Sequence, residues 1–154
     1  MAIIDANLNF FVDEAVTTAT TYTSDSVAID QGENGTLVGS IAHYDAGEPL
    51  EVIVQVTEGF DSGGTSVDFR FVSSNAAALT SPVTQASTGA ITDPAEGTIY
   101  KFPLKLTAVD ADATHIGMTL VSLGTYSTGK VSAWIQSSGN QQTTVDDLGV
   151  DLQD

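Results

Sequence analysis

The chain has 154 residues, 42% of them apolar, and no cysteine: enough for one domain with a buried core, and no material for a disulfide or a thiolate site. Twenty acidic residues stand against four basic ones, Arg70, Lys101, Lys105 and Lys130, for a net charge of −16. Such a surface repels phosphate backbones and anionic lipid, so neither nucleic acid nor membrane is an expected partner.

Met1-Ala2-Ile3-Ile4-Asp5 lacks the basic start and apolar run of a signal peptide. No apolar stretch approaches the roughly 20 residues that span a bilayer. The expectation is a protein made and assembled in a cytosol. Residues 1–24 read as an extended N-terminal arm. Leu8, Phe10 and Val12 alternate with Phe11 facing oppositely, and the Thr-rich tract that follows favours extended backbone. An edge strand of the same sheet is the alternative.

Residues 26–30 make a short strand candidate, and Asn34-Gly35 is a tight-hairpin signal. Gly47 and Pro49 then open a turn into a strand with Leu50, Val52, Val54 and Val56 on one face and Glu51, Ile53, Gln55 and Thr57 on the other. After the permissive turn Phe60-Asp61-Ser62-Gly63-Gly64-Thr65, Val67, Phe69 and Phe71 form the next inward set. Residues 75–79 suit one short helical turn ending before Ser81-Pro82. Residues 83–91 make a weak strand. Tyr100, Phe102, Leu104 and Leu106 alternate strongly, and Pro103 among them marks an edge or a bulge. Ile116, Met118 and Leu120 form another inward set, with Val131, Ala133 and Ile135 the last.

The count is seven to nine strands with no helical period beyond about two turns, an all-β antiparallel sandwich over residues 25–136. An acidic C-terminal tail occupies 137–154. A jelly roll and an immunoglobulin-like sandwich both suit the count, although the Cys…Trp…Cys hallmark of the latter is absent.

Candidates for chemistry are sparse. His43 and His115 are the only histidines, no Ser lies in a Gly-x-Ser-x-Gly elbow, and no Gly-rich loop leads from a strand into a helix. Asp110-Ala111-Asp112-Ala113-Thr114 superficially matches a calcium loop, but its sixth and twelfth residues are His115 and Val121, where the EF-hand needs Gly and Glu. Asp61 with Asp68 is no stronger as a carboxylate pair. The outward face is more suggestive. Ile53, Val72, Val121 and Trp134 alternate away from the inward sets; such groups are scattered surface residues or packed under loops, or, if clustered, mark a subunit interface. With Phe10 and Phe11 of the arm they are the candidate interface residues.

A set of segments, taken in one order, resembles the small jelly-roll capsid cement, or decoration, proteins of tailed bacteriophages. Gly47-Glu48-Pro49-Leu50 leads to Gln55-Val56-Thr57-Glu58. Val72-Ser73-Ser74-Asn75 then runs to Leu79-Thr80-Ser81-Pro82-Val83. Thr88-Gly89-Ala90-Ile91 and Thr128-Gly129-Lys130-Val131-Ser132-Ala133 complete the set. The chain departs from that pattern at Thr92, where Pro is expected, and in residues 114–118, which lack an expected Arg and Tyr. Its tail is also longer and more acidic. The resemblance implies a jelly-roll-like sandwich forming a homotrimer on the outer surface of an icosahedral head. There it would bridge major capsid subunits in a mechanical role without catalysis or cofactor. The alternative is a carbohydrate-binding jelly roll that presents Trp134 with Tyr44, Tyr100 or Tyr126.

Overall fold

The computed structural model describes residues 9–31, 37–38, 50–104 and 112–137, and every regular element among them is a strand, as period-two alternation demands. In chain order these are β1 (Asn9–Ala15), β2 (Thr21–Thr23), β3 (Val27–Ala28), β4 (Asp30–Gln31), β5 (Leu37–Val38), β6 (Leu50–Glu58), β7 (Gly64–Ser74), β8 (Val83–Ser87), β9 (Ile99–Leu104), β10 (His115–Gly124) and β11 (Lys130–Ser137). A four-stranded antiparallel sheet has the order β1-β11-β6-β9. A five-stranded one has the order β2-β10-β7-β8, with β3 continuing β2 along β10. β4 and β5 pair antiparallel on either side of Asn34-Gly35, which itself lies outside the described residues.

Strand order decides between the two sandwiches. With β2 and β3 counted as one interrupted strand and the β4–β5 pair set aside, the first strand pairs with the last in one sheet and the second with the last but one in the other. Only β7 and β8 are sequential neighbours within a sheet; all other connections cross between the sheets. That is the eight-stranded jelly roll of two interlocked Greek keys.

The core lies between the sheets. Val52, Val54, Val56, Phe102, Val131, Ala133 and Ile135 fill it from the four-stranded side; Val67, Phe69, Phe71, Ile116, Met118 and Leu120 fill it from the other. Of the expected arm, residues 1–8 lie outside the described residues. Asn9–Ala15 and Thr21–Thr23 are edge strands, so over that stretch the edge-strand alternative holds. Of the tail, only Ser137 is described, as the end of β11.

The open edges of the two larger sheets are guarded against pairing with another chain. β1 carries Asp13, Glu14 and two register irregularities, β8 has one, β9 carries Lys101 and Pro103, and β2 and β3 are only three and two residues long.

Candidate interaction surfaces

Five of the six candidate interface residues are buried within the chain itself. Phe10 and Phe11 both enter the core. A register irregularity in β1 between Asn9 and Phe11 breaks the alternation that set them on opposite faces, so two consecutive rings turn inward and Val12 is left 69% exposed. Ile53, Val72 and Trp134 do point outward, away from the sandwich core, yet each is buried. Only Val121, between Asp68 and Thr21 on the five-stranded face, is half-buried. Ile53, Val72 and Trp134 share one cause: in this fold an outward side chain is not necessarily a wet one.

On the four-stranded sheet Ile53 stands directly between Trp134 and Lys101 in the ladder. A polar chain runs across three strands beside it. The Trp134 indole N–H donates to Gln136 Oε1 at 3.1 Å, Gln136 Nε2 donates to Glu51 Oε1 at 2.9 Å, and Lys101 Nζ lies 3.9 Å from that same oxygen.

On the five-stranded sheet the cover is a strap, residues 75–82, connecting β7 to β8. It folds back across β7 and sets Leu79 on Gly117, where a Cβ would meet Leu79 Cδ1 at 2.3 Å. Val72 pairs with Gly117 in the ladder, so the missing Cβ makes the notch that lets Leu79 and Val72 bury together. In place of the expected helical turn stands a β-turn closed by the Leu79 N–H donating to Ala76 O at 3.0 Å, with Leu79 itself in left-handed backbone. Further ties are the Ser26 hydroxyl to Ala77 O (2.7 Å) and the Ser74 hydroxyl to Thr80 O (2.9 Å). Against them stand two non-glycine residues in left-handed backbone, Leu79 at φ 50° and Ser81 at φ 48°, each costing about 1–3 kcal/mol. Burial of Leu79 recovers about 1.5–3 kcal/mol. The closed strap is thus held by a small difference between comparable terms.

At one end of the sandwich three loops are laced together. The Phe60 N–H donates to Pro94 O (3.1 Å), the Thr128 hydroxyl to Gly59 O (3.0 Å) and the Ser127 N–H to Asp61 Oδ1 (3.0 Å), while the Ser127 hydroxyl donates to the other Asp61 oxygen. That hydroxyl holds the Asp61 carboxyl below its ordinary value. Tyr126 is fully buried in this end, edge-on to Phe60 at 5.0 Å, and its hydroxyl has no hydrogen-bond partner. Burial pushes the phenol above its ordinary value, and the Asp93 and Asp61 carboxylates push it further.

A raised folded-state value means that the fold favours the neutral phenol. This contribution is complete below the unfolded value near 10 and is lost as pH climbs through the folded one. Tyr126→Phe is therefore expected to leave stability near pH 7 unchanged or up by about 1 kcal/mol, since no bonded partner is lost. The variant should also lose less stability than the wild type between pH 8 and 11. Urea unfolding at the two pH values measures both. An equal alkaline loss in the two proteins would refute the assignment.

All three described cations sit beside acids: Arg70 Nε 2.7 Å from Asp68, Lys130 Nζ 3.1 Å from Glu58, and Lys101 beside Glu51 as above. Pairs this exposed contribute little to stability. Their effect is to leave no free positive patch on the described surface. Asp68 is held further by the Ser87 hydroxyl at 2.6 Å, so neither it nor Asp61 is an idle carboxylate. Among the described residues no three His, Asp or Glu side chains are grouped to hold a metal ion. His115 is half-buried with Nδ1 2.8 Å from the Thr114 hydroxyl; His43 lies outside the described residues, as does the start of the calcium-like loop at Asp110.

The large apolar side chains that are exposed are others: Val12, Leu123 (55%), Val83 (48%) and Ile99 (46%). Leu123 shares the outer face of β10 with Val121. Alternation from Leu120 and from Tyr100 already turns Leu123 and Ile99 outward, so the signal for these two was present in the sequence. Of the aromatics that a sugar platform would use, Trp134 and Tyr126 are buried and Tyr100 is half-buried against the core, while Tyr44 lies outside the described residues. No protein-family model matches the chain, and no curated protein does.

Proposed function

We propose that this chain is a structural virion protein, a capsid cement protein that binds the outer surface of a phage head and stabilises it by bridging major capsid subunits. The observation that carries this reading is where the resembling segments fall on the jelly roll. Gln55-Val56-Thr57-Glu58 closes β6, and Val72-Ser73-Ser74-Asn75 ends β7. Leu79-Thr80-Ser81-Pro82-Val83 carries the strap into β8, and Thr88-Gly89-Ala90-Ile91 leaves β8 to bridge back to Val67. Thr128-Gly129-Lys130-Val131-Ser132-Ala133 turns into β11. These are the framework's own joints, in one order, rather than scattered surface matches.

The surface chemistry is consistent with the role. A net charge of −16 keeps the protein off packaged DNA and suits a basic or apolar docking site on the shell. Small exposed apolar contacts at Val12, Val83, Ile99 and Leu123 are weak singly. Repeated in a homotrimer over a lattice, they act through effective concentration.

Two measurements test this. Purified particles should show a 15.9 kDa band in fixed ratio to the major capsid protein, and the isolated protein should rebind shells stripped of it and raise their thermal resistance. Light scattering should give a trimer. A protein absent from particles and unable to bind stripped shells is not a cement protein.

A further inference from the structure

Among the described residues the strap is the one place where two non-glycine residues hold left-handed backbone within three positions. It takes no part in the sheet ladders. Apart from Leu79 and the half-buried Ala76 its residues are exposed, so one apolar side chain and three hydrogen bonds hold it down: the Ser26 and Ser74 hydroxyls to the Ala77 and Thr80 carbonyls, and the Ala76 N–H to the Ser74 hydroxyl. Its ends, Asn75 and Ser81, wall a recess of about 200 Å³ that Ser73, Ser74 and Asp112 also line. Its middle reaches Ser26, in the kink where edge strand β2 passes into β3.

We propose that residues 75–82 open and close as a unit while both sheets stay folded, with Leu79 leaving and re-entering the notch over Gly117. Opening uncovers Val72 and the Gly117 backbone, widens the recess at its Asn75 and Ser81 wall, and releases the kink at Ser26. The closed strap masks an apolar strip on the outer face of the five-stranded sheet that only the open form presents. Left-handed strain at Leu79 and Ser81 drives opening; the Leu79 plug opposes it.

The absence of cysteine makes this directly measurable. Val72→Cys places a single thiol beneath the strap, and Ala133→Cys places one in the sandwich core as a control. The Val72→Cys thiol should react with a water-soluble thiol reagent at least about tenfold faster than the control. Adding Ser81→Gly relieves the left-handed strain and should slow Val72→Cys labelling severalfold without changing the control. Equal labelling of the two thiols, or a Val72→Cys rate indifferent to Ser81→Gly, overturns the proposal. Should Val72→Cys fail to fold, native-state hydrogen exchange of the unaltered chain carries the same test. The Ala76 amide, bonded to the Ser74 hydroxyl outside the strap, should then exchange at least about tenfold faster than ladder amides of β7 and β10, at a rate insensitive to low urea. Exchange of Ala76 only through global unfolding overturns it.

Discussion

Gly64→Ala should lower the unfolding free energy by about 3 kcal/mol or more, among the largest effects of any single added methyl in this protein. A Cβ at Gly64 would lie 2.2, 2.3 and 2.5 Å from three ring carbons of Tyr126. Overpacking ordinarily costs about 1–3 kcal/mol because neighbours give way. Here the ring has little freedom to do so. It is fully buried and packed edge-on to Phe60, and Phe60 in turn fills the space beside Gly129, where a Cβ would meet its ring at 2.8 Å. For a chain of this length the melting temperature should fall by about 6–12 °C. Gly97→Ala is the control: Gly97 is in a loop, with φ 83°, and nothing lies within 4 Å of its Cβ position, so only backbone strain is added. Thermal unfolding by circular dichroism compares the two. A Gly64→Ala melting temperature within 2 °C of the Gly97→Ala value would mean that the Tyr126 ring can step aside.

Trp134→Ala is expected to cost the isolated protein about 3–5 kcal/mol, the range for removing a buried large aromatic. The indole is only 6% exposed, opposite Ile53 and bonded to Gln136, so its loss opens a hole and strands an amide oxygen. Chemical denaturation of the free chain measures this before any shell is involved. If Trp134→Ala left free stability untouched and abolished shell binding, the residue would be a docking contact. The same ordering applies to Phe10 and Phe11, so capsid-binding assays on any of the three need a stability measurement beside them.

The fold was legible wherever alternation runs uninterrupted. The strand Leu50–Glu58 has the bounds that its pattern set, the inward sets of β7, β10 and β11 are the buried ones, and Pro103 lies on an edge strand. Legibility failed where the cause lies across the fold. The irregularity that turns both Phe10 and Phe11 inward depends on the register with β11, which no local pattern reports. Leu79 reads as one apolar residue in a turn, and only the ladder pairing of Val72 with Gly117 shows what it covers. For the residues on the sheet faces, the interface reading equated outward with exposed. That equation held for Leu123 and Ile99 and failed for Ile53, Val72 and Trp134.

The pairing of β1 with β11 also sets the order of events at birth. Asn9 lies opposite Trp134 and Ala15 opposite Lys130, so the first described strand cannot find its partner until nearly the whole chain has been made. At ~5–20 residues per second the ribosome leaves β1 waiting for roughly 6–23 s, and the β11-facing edge of β6 for roughly 4–14 s. Pairings so distant in sequence are slow to form even once both strands exist. During that interval the edge that β11 will cover is bare, along with Phe10 and Phe11. The nascent chain, rather than the finished protein, is the form most exposed to aggregation, and a truncation before Lys130 would keep it in that form.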